Sequence, residues 1–215
     1  MEKNVADRRE PGQMDEDYSA WFAGKALSTD WTSRYFPTWA FLLAPRRDEP
    51  LAVLEIGSWE GRSAIFFLRY LKNCTMTCID TFAGSDEHFA VPRWKDALPY
   101  IEARFDSNLA EFGARVEKLK GKSTELLAQL VAHGRQFDVV YIDASHHSAD
   151  VQSDASFTWP MVRERGIVIF DDYEWSLSEQ EIERPKLGID TFLRVREGTY
   201  RERHRGYQLI VEKTS

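Results

Sequence analysis

The most informative segment of the sequence is Leu51-Ala-Val-Leu-Glu-Ile-Gly-Ser-Trp-Glu-Gly61. Five of its first six residues are apolar, with Glu55 as the exception, which is the pattern of a buried strand. Gly57 and Gly61 then predict a tight turn, and the apolar residues that follow share one face of a helix. A strand, a glycine turn and a helix in this order hold nucleotide-like ligands at the edge of a parallel sheet, although the same order also occurs without a ligand.

The charge beside the turn narrows the choice of ligand. A dinucleotide site has three glycines as GxGxxG, which let a pyrophosphate approach the start of the helix. Here only Gly57 and Gly61 are present, and the carboxylate of Glu55 would repel a pyrophosphate. It would suit a cofactor with a cationic end, such as S-adenosylmethionine, which carries an ammonium and a sulfonium but no phosphate. A nicotinamide-dependent oxidoreductase remains the alternative that a parallel sheet allows.

Composition restricts the class of protein. The 215 residues suffice for one domain with a short extension, and the net charge of −7 argues against a nucleic-acid partner. No apolar run approaches the roughly 18 residues of a membrane span, so no membrane partner is expected. Cys74 and Cys78 are expected to be reduced thiols that fill the core. These features predict a cytoplasmic protein, and a homodimer is among the assemblies that they allow.

Three regions differ in composition. Residues 1–17 are charged and aperiodic, and we predict a disordered tail. Residues 18–48 form an aromatic-rich helical cap, interrupted at Pro37. Its aromatic side chains either pack the cap onto the body or form the roof of a substrate pocket. Residues 49–215 form the ligand-binding domain.

Strands alternate with helices through this domain. The predicted strands are Leu51–Ile56, Thr75–Ile79, Arg115–Leu119, Phe137–Ile142 and Gly166–Phe170. The predicted helices are Arg62–Leu71, Leu98–Glu111, Ser123–Ala132, Ser148–Val162 and Lys186–Arg196. This alternation predicts an α/β, Rossmann-like, doubly wound and mostly parallel sheet. The segments Thr199–Arg205 and Tyr207–Glu212 predict a terminal hairpin.

Acidic residues follow the predicted strands, at the edge where open parallel sheets bind ligands. Asp80 comes 23 residues after Gly57, close to the spacing at which an acid binds a ribose diol, although it could also cap a turn. Ser123 is either the N-cap of its helix or a neighbour of the adenine.

Two histidines follow another strand-end acid, Asp143, in the segment Asp143-Ala-Ser-His-His147. Histidine is the side chain best suited to accept a proton near neutral pH. Adjacent residues in a turn rarely both face a pocket, so we predict a single base among the catalytic candidates, with His146 ahead of His147. The alternative is that both are solvated loop residues.

Asp171 and Asp172 follow the strand predicted to lie beside that of Asp143. Three carboxylates at one edge repel each other, so the pKa of at least one must rise unless a cation joins them. Mg²⁺ or Ca²⁺ takes oxygen ligands of this kind, and a histidine could support a transition metal. Alternatively, Asp172 points away and Asp171 caps the loop.

Taken together, these motifs resemble the class I S-adenosylmethionine-dependent methyltransferases, most closely the small bacterial-type branch with an Ile-Asp-x-Ser-His segment. The resemblance runs from about Trp31 to Val211. It implies a seven-stranded sheet with an antiparallel last strand. It also implies a cofactor site with these members: Glu55, Gly57, Ser58 and Gly61 at the methionine end, Asp80 at the ribose, Ser123 near the adenine, and Asp143 below the methyl group. Thr81, next to Asp80, is a further candidate for contact with the cofactor.

The catechol-type O-methyltransferases of this class hold Mg²⁺ at positions that match Asp143, Asp171 and Asp172. They usually have Asp-Asn where this chain has Asp-Asp, and they lack the two histidines, so a histidine base without metal is a rival to metal assistance. The resemblance implies methyl transfer to a small molecule, most simply at a hydroxyl oxygen. A protein that binds the cofactor without transferring methyl is a further alternative. The segment Phe82–Pro99, with His88, Arg93 and Trp94, is the candidate acceptor pocket together with the cap.

Overall fold

A computed structural model describes residues 17–176, 178 and 180–215. The disordered tail predicted for residues 1–17 therefore lies outside the described residues, apart from Asp17.

A seven-stranded mixed sheet forms the centre of the molecule. Its strands are β1 (Ala52–Ile56), β2 (Thr75–Asp80), β3 (Val116–Lys120), β4 (Phe137–Ile142), β5 (Val162–Phe170), β6 (Tyr200–Arg205) and β7 (Leu209–Lys213). Their order is β3-β2-β1-β4-β5-β7-β6. Strands β1 to β5 are parallel, and β7 runs antiparallel to both β5 and β6. This confirms the predicted doubly wound sheet, its terminal hairpin and its antiparallel last strand.

Helices cover both faces of the sheet. They are α1 (Phe36–Leu43), α2 (Arg62–Tyr70), α3 (Asp86–Ala90), α4 (Pro92–Leu109), α5 (Ser123–Ala132), α6 (Ser148–Thr158) and α7 (Pro185–Arg194). Alternate residues of β1 enter opposite cores, since Val53 packs in the cluster with α1, α2 and α4 while Leu54 packs in the cluster with α5, α6 and α7. Every residue of β4 is buried, as expected for a strand covered on both faces.

Two element boundaries differ from the prediction because of charged residues and a proline. Helix α6 ends at Thr158 rather than Val162, and a short 3-10 helix that contains Pro160 follows it. Strand β5 then begins at Val162, four residues before the predicted Gly166. The exposed run Arg163-Glu164-Arg165 carries no apolar alternation, and the left-handed φ of +61° at Arg165 marks an irregular start to the strand.

Helices α1 and α4 also differ from the prediction, in both cases at prolines. The segment Phe82–Pro99 is not a long irregular connection, because it contains α3 and the start of α4. Helix α4 begins at Pro92, six residues before the predicted Leu98, and continues through Pro99. Pro37 does not interrupt a helix but lies in the first turn of α1, where its missing N–H has no partner to lose.

The N-terminal cap consists of α1 and three 3-10 helices, Ser19–Phe22, Ser33–Tyr35 and Ala44–Arg46. Phe36 and Trp39 of α1 are buried in the core, so the packing role predicted for the cap aromatics holds for these two. Cys74 and Cys78 are buried free thiols, with Cys78 in β2 and Cys74 just before it. Among the described residues, no helix is long and apolar enough to cross a membrane.

Candidate functional site

Backbone hydrogen bonds connect the carboxyl ends of four neighbouring strands, β2, β1, β4 and β5. In each case the donor is the first residue after a strand, and the acceptor lies at the end of the strand beside it. The backbone N–H of Gly57 donates to the end of β2 at 2.8 Å, that of Asp143 to the end of β1 at 2.8 Å, and that of Asp171 to the end of β4 at 3.0 Å. The strand-end residues predicted from the sequence therefore line one continuous edge.

The glycine loop after β1 approaches β4 too closely for any side chain. Gly57 has a φ of +88°, and a Cβ there would lie 1.9 Å from the carbonyl oxygen of Asp143. Gly61, with a φ of +84°, directly precedes α2. Both glycines are required by the backbone, as the spacing of the motif predicts.

Asp80, at the end of β2, holds this loop through backbone N–H groups. Its Oδ2 accepts bonds from Ser58 and Trp59, both at 2.8 Å, and its Oδ1 accepts one from Phe82 at 2.6 Å. A carboxylate has about four acceptor positions, so one remains for a further donor. The predicted contact of Asp80 with a ribose stays a prediction.

Glu55 is completely buried within β1. Ser63 donates a hydrogen bond of 2.5 Å to its Oε1, while Oε2 has no partner among the described residues. Burial raises the pKa of Glu55 to about 7, because the charged form loses its hydration, and the charge of Asp80 adds to the effect. An unpartnered buried carboxyl oxygen at this position is suited to a cationic ligand group.

A narrow cleft lies between the glycine loop and the cap. The cap contributes Leu27, Thr29, Trp31 and Thr32, the loop and the start of α2 contribute Gly57 to Glu60, Arg62 and Ser63, and Asp143 closes one end. The hydroxyl of Thr32 and the indole N–H of Trp59 are buried without a hydrogen-bond partner in the described part of the chain. Buried polar groups are normally paired, so these two atoms are candidates for contact with a polar ligand. Glu55 does not line the cleft itself but lies behind Ser63, which does.

Tyr141 connects two of the strand-end acids. Its hydroxyl lies 2.8 Å from Oδ2 of Asp143 and also contacts Oδ2 of Asp171. A phenol has one proton, so a second proton on one of the carboxyl groups is needed to complete both bonds. Burial and mutual repulsion accordingly raise the pKa of Asp143 well above its ordinary range and that of Asp171 to about 7. This confirms the predicted rise in pKa among the clustered carboxylates.

His146 forms a pair with Asp172. Its Nε2 lies 2.7 Å from Oδ2 of Asp172, and its ring centroid is 4.6 Å from that of Trp175. Asp172 has a left-handed φ of +54°, and its backbone N–H donates to Oδ1 of Asp171 at 2.8 Å. Asp143, His146 and Asp172 each offer one ligand atom, and these atoms lie within 4.8 Å of one another. The predicted metal set differs by one residue, since Asp171 contacts Tyr141 instead.

Other predicted residues lie farther from this centre. His147 is exposed at the N-cap of α6, and Thr81 is exposed with its hydroxyl accepting a bond from Ala83 N–H at 3.2 Å. Ser123 is the first residue of α5 and not its N-cap, which is Lys122, so that alternative is wrong. The contact of Ser123 with an adenine stays a prediction.

Aromatic rings from three segments meet above the glycine loop. Trp31 of the cap lies 5.7 Å from Trp59 and 5.4 Å from Trp94, and His88 stacks on Trp59 at 4.3 Å, between ring centroids. The cap and the segment Phe82–Pro99 are therefore brought together beside the cleft. Their role as an acceptor pocket stays a prediction.

Sequence reasoning missed three residues of the site. Tyr141 could have been predicted, because it lies two positions before Asp143 and its side chain therefore lies on the same face as that of Asp143. Trp175 follows the strand-end acids by only three residues, but nothing in the sequence placed its ring on His146. The hydroxyl of Thr32 could not be assigned because the cap has no periodic pattern there.

Residues 54–173 match the protein family described as a methyltransferase domain. The match covers more than half of the 215 residues. The chain belongs to this methyltransferase family. This result agrees with the suspected class and does not favour the nicotinamide-dependent alternative. A search by sequence among curated proteins finds no match.

Solved structures with the same fold include several methyltransferases. MycE from the mycinamycin biosynthetic pathway, in complex with Mg, SAH and mycinamycin VI, has a TM-score of 0.62 at 19% identity, over 91% of this chain and 53% of MycE. The chain thus spans about half the length of MycE. The O-methyltransferase from Bacillus cereus in complex with SAH has a TM-score of 0.64 at 18% identity, over 92% and 88% of the two chains. CalS11, a calicheamicin methyltransferase, has a TM-score of 0.56 at 18% identity, over 83% and 78%.

Proposed function

We propose that this protein transfers the methyl group of S-adenosylmethionine to a hydroxyl oxygen of a small-molecule acceptor. The pairing of His146 with Asp172 beside Asp143, at the ligand-binding edge of a methyltransferase fold, carries the proposal. The glycine loop, with the unpartnered hydroxyl of Thr32 and indole N–H of Trp59, supports a cofactor whose amino-acid end lies in the cleft, and the buried carboxyl group of Glu55 lies directly behind Ser63 of its wall. MycE and the Bacillus cereus enzyme were both solved in complex with SAH, which is consistent with that cofactor.

The sulfonium of the cofactor supplies an activated methyl group, so the protein has to align the acceptor and remove its proton. His146 is the proposed base. The carboxylate of Asp172 at Nε2 orients the ring and stabilises the imidazolium formed when His146 takes up a proton. The ring of Trp175 at 4.6 Å adds a face that favours the same cation.

The acidic cluster also fits a divalent metal ion. Asp143 and Asp172 would hold it, with either His146 or Asp171 as a third ligand. When bound, such an ion would stabilise negative charge on the acceptor oxygen. Its use of Asp171 would require that carboxyl group to leave the hydroxyl of Tyr141.

Calorimetric titration tests the cofactor. We expect S-adenosylmethionine and S-adenosylhomocysteine to bind, and NAD to bind more weakly or not at all. Stronger binding of NAD would contradict the proposal. Methyl-labelled cofactor incubated with a small-molecule extract, with and without Mg²⁺, tests transfer. Binding without labelled product under every metal condition would favour a cofactor-binding protein that does not transfer methyl.

A pair of adjacent substitutions separates the base from the metal. His146→Ala should lower turnover by about 100-fold, the usual contribution of a general base, with little change in cofactor affinity. His147→Ala, at an exposed position next to it, should retain turnover. If His146→Ala remains active and EDTA abolishes its activity, metal assistance replaces the histidine base.

A further inference from the structure

Residues 23–32, called the strap here, connect the first two 3-10 helices of the cap, and four of them line the cleft. Both flanks are anchored in the core, by Tyr18 on one side and Phe36 on the other, whose rings meet edge to face at 5.9 Å. The strap itself contains no helix or strand. Within the described residues, its backbone–backbone hydrogen bonds reach only the two flanking 3-10 helices and the strap itself, and none joins it to the sheet or to the helices of the body.

Side chains of the body hold the strap instead, and Glu60 makes the most central attachment. Its Oε2 accepts the backbone N–H of Ser28 at 2.5 Å, and its Oε1 accepts the hydroxyl of Ser28 at 2.8 Å. Arg104 of α4 donates to the same Oε1 at 2.6 Å and balances the charge of a carboxylate that is only 1% exposed. Flanking contacts come from Asn108, which binds both backbone groups of Ala26, and from Arg62, which donates to the carbonyl of Thr29.

The position of Glu60 couples the strap to the cofactor loop. It lies inside the glycine loop, directly before Gly61, and its side chain reaches outward to the strap. Leu27, Thr29, Trp31 and Thr32 of the strap line the same cleft as Gly57 and Asp143. A ligand whose amino-acid end occupies the cleft therefore lies beneath the strap, and the loop that binds it is bonded to its cover.

We propose that the strap must lift for the cofactor to enter and for its demethylated product to leave, and that Glu60 is the latch that sets the rate of this opening. Glu60 is thus a positioning residue that acts through Ser28 and touches no reacting atom. The inference rests on the proposed function only in taking S-adenosylmethionine as the ligand. Opening needs no unfolding of the core, because both anchors and all sheet hydrogen bonds can remain in place.

The test is the dissociation rate of S-adenosylhomocysteine from the full chain, measured by stopped-flow displacement. Glu60→Gln places an amide NH₂ group against the donors of Arg104 or Ser28, and we expect dissociation to accelerate about tenfold, the usual effect of losing a hydrogen bond to a charged group. Ser28→Ala removes one bond and leaves the carboxylate, so we expect about fivefold. Glu49→Gln, at an exposed acid on the opposite edge of the sheet, is the control and should match the wild type.

Hydrogen exchange supplies a readout in the unmodified protein. The N–H of Ser28 should exchange more slowly with S-adenosylhomocysteine bound, and faster in Glu60→Gln. If Glu60→Gln fails to fold, the dissociation rate of Ser28→Ala and the hydrogen exchange of the Ser28 amide in the wild type test the proposal. The role of Glu60 would be contradicted if the folded variants release S-adenosylhomocysteine at the wild-type rate and the ligand does not protect the Ser28 amide. The proposed function would be unaffected by that result. Failure of the wild type to bind S-adenosylhomocysteine would overturn both.

Discussion

At the residue scale, the site depends on one backbone contact that tolerates no side chain. Gly57 combines a left-handed φ with direct contact to the backbone of Asp143, which cannot move without breaking the bond between β4 and β1. Gly134 has a similar φ of +65°, but a Cβ there would have open space around it. A substitution at Gly134 therefore adds backbone strain alone, whereas one at Gly57 adds strain and steric overlap.

Gly134→Ala should lower the free energy of unfolding by about 1 kcal/mol, the cost of left-handed backbone for an alanine. Gly57→Ala should lower it further and abolish binding of S-adenosylmethionine, because the loop must move away from Asp143. Urea denaturation and calorimetric titration of both variants provide the measurements. Equal losses in the two variants, with binding retained, would show that the loop adapts to a side chain.

Asp80 has a comparable role, since its carboxylate orders the loop through the N–H groups of Ser58 and Trp59. Asp80→Ala should weaken binding of S-adenosylmethionine at least about tenfold, since two hydrogen bonds to a charged acceptor are lost. Turnover at saturating cofactor should change less. Asp48→Ala, at an exposed acid paired only with Lys72, should bind as the wild type does. Unchanged affinity in Asp80→Ala would contradict this role.

At the scale of elements, α6 and α7 pack closely because Gly188 of α7 meets the start of α6. A Cβ at Gly188 would lie 2.1 Å from the carbonyl oxygen of Ser148, the first residue of α6. This contact matters for the site, because the loop that carries His146 ends where α6 begins. The packing of α7 thereby supports the position of the proposed base.

Gly188→Ala should therefore lower the free energy of unfolding by about 3 kcal/mol, as overpacking of a tight contact does. It should also reduce turnover, because α6 must shift. Thr191→Ala, at an exposed position of the same helix, should change stability by less than about 0.5 kcal/mol. Thermal denaturation and turnover of both variants measure this. A stable and fully active Gly188→Ala would show that the helices separate at no cost.

At the scale of the whole molecule, the sheet was predictable because apolar runs end in acids or glycines. The boundaries that failed, the starts of β5 and α4, lie where charge or proline replaces the periodic pattern. The sequence predicts which strand-end residues form the site, but not which of their side chains pair with one another. The pairing of Asp172 with His146 is invisible in the sequence, as are the backbone donors that Asp80 binds.

Buried acids give the whole molecule a pH dependence that the sequence does not reveal. Burial raises the pKa of Asp154, which is 2% exposed on α6, from 3.8 to about 6, against a hydrogen bond from Ser123 that lowers it. Burial likewise raises the pKa of Glu55 and of Asp171 to about 7. Because the folded state retains these protons more tightly than the unfolded state, stability falls as the pH rises from about 4 through the folded-state values near 6 and 7.

The melting temperature of the protein without ligand should accordingly decrease between pH 5 and pH 7. Asp154→Asn cannot ionise, so its stability relative to the wild type should increase by about 1 kcal/mol over that interval, as the shifted pKa requires. Glu125→Gln, at an exposed position of α5, is the control and should follow the wild type. Calorimetric scans at the two pH values measure the effect. A constant difference between Asp154→Asn and the wild type would mean that Asp154 reaches water in solution, because only a carboxyl group kept from hydration can hold its proton that strongly.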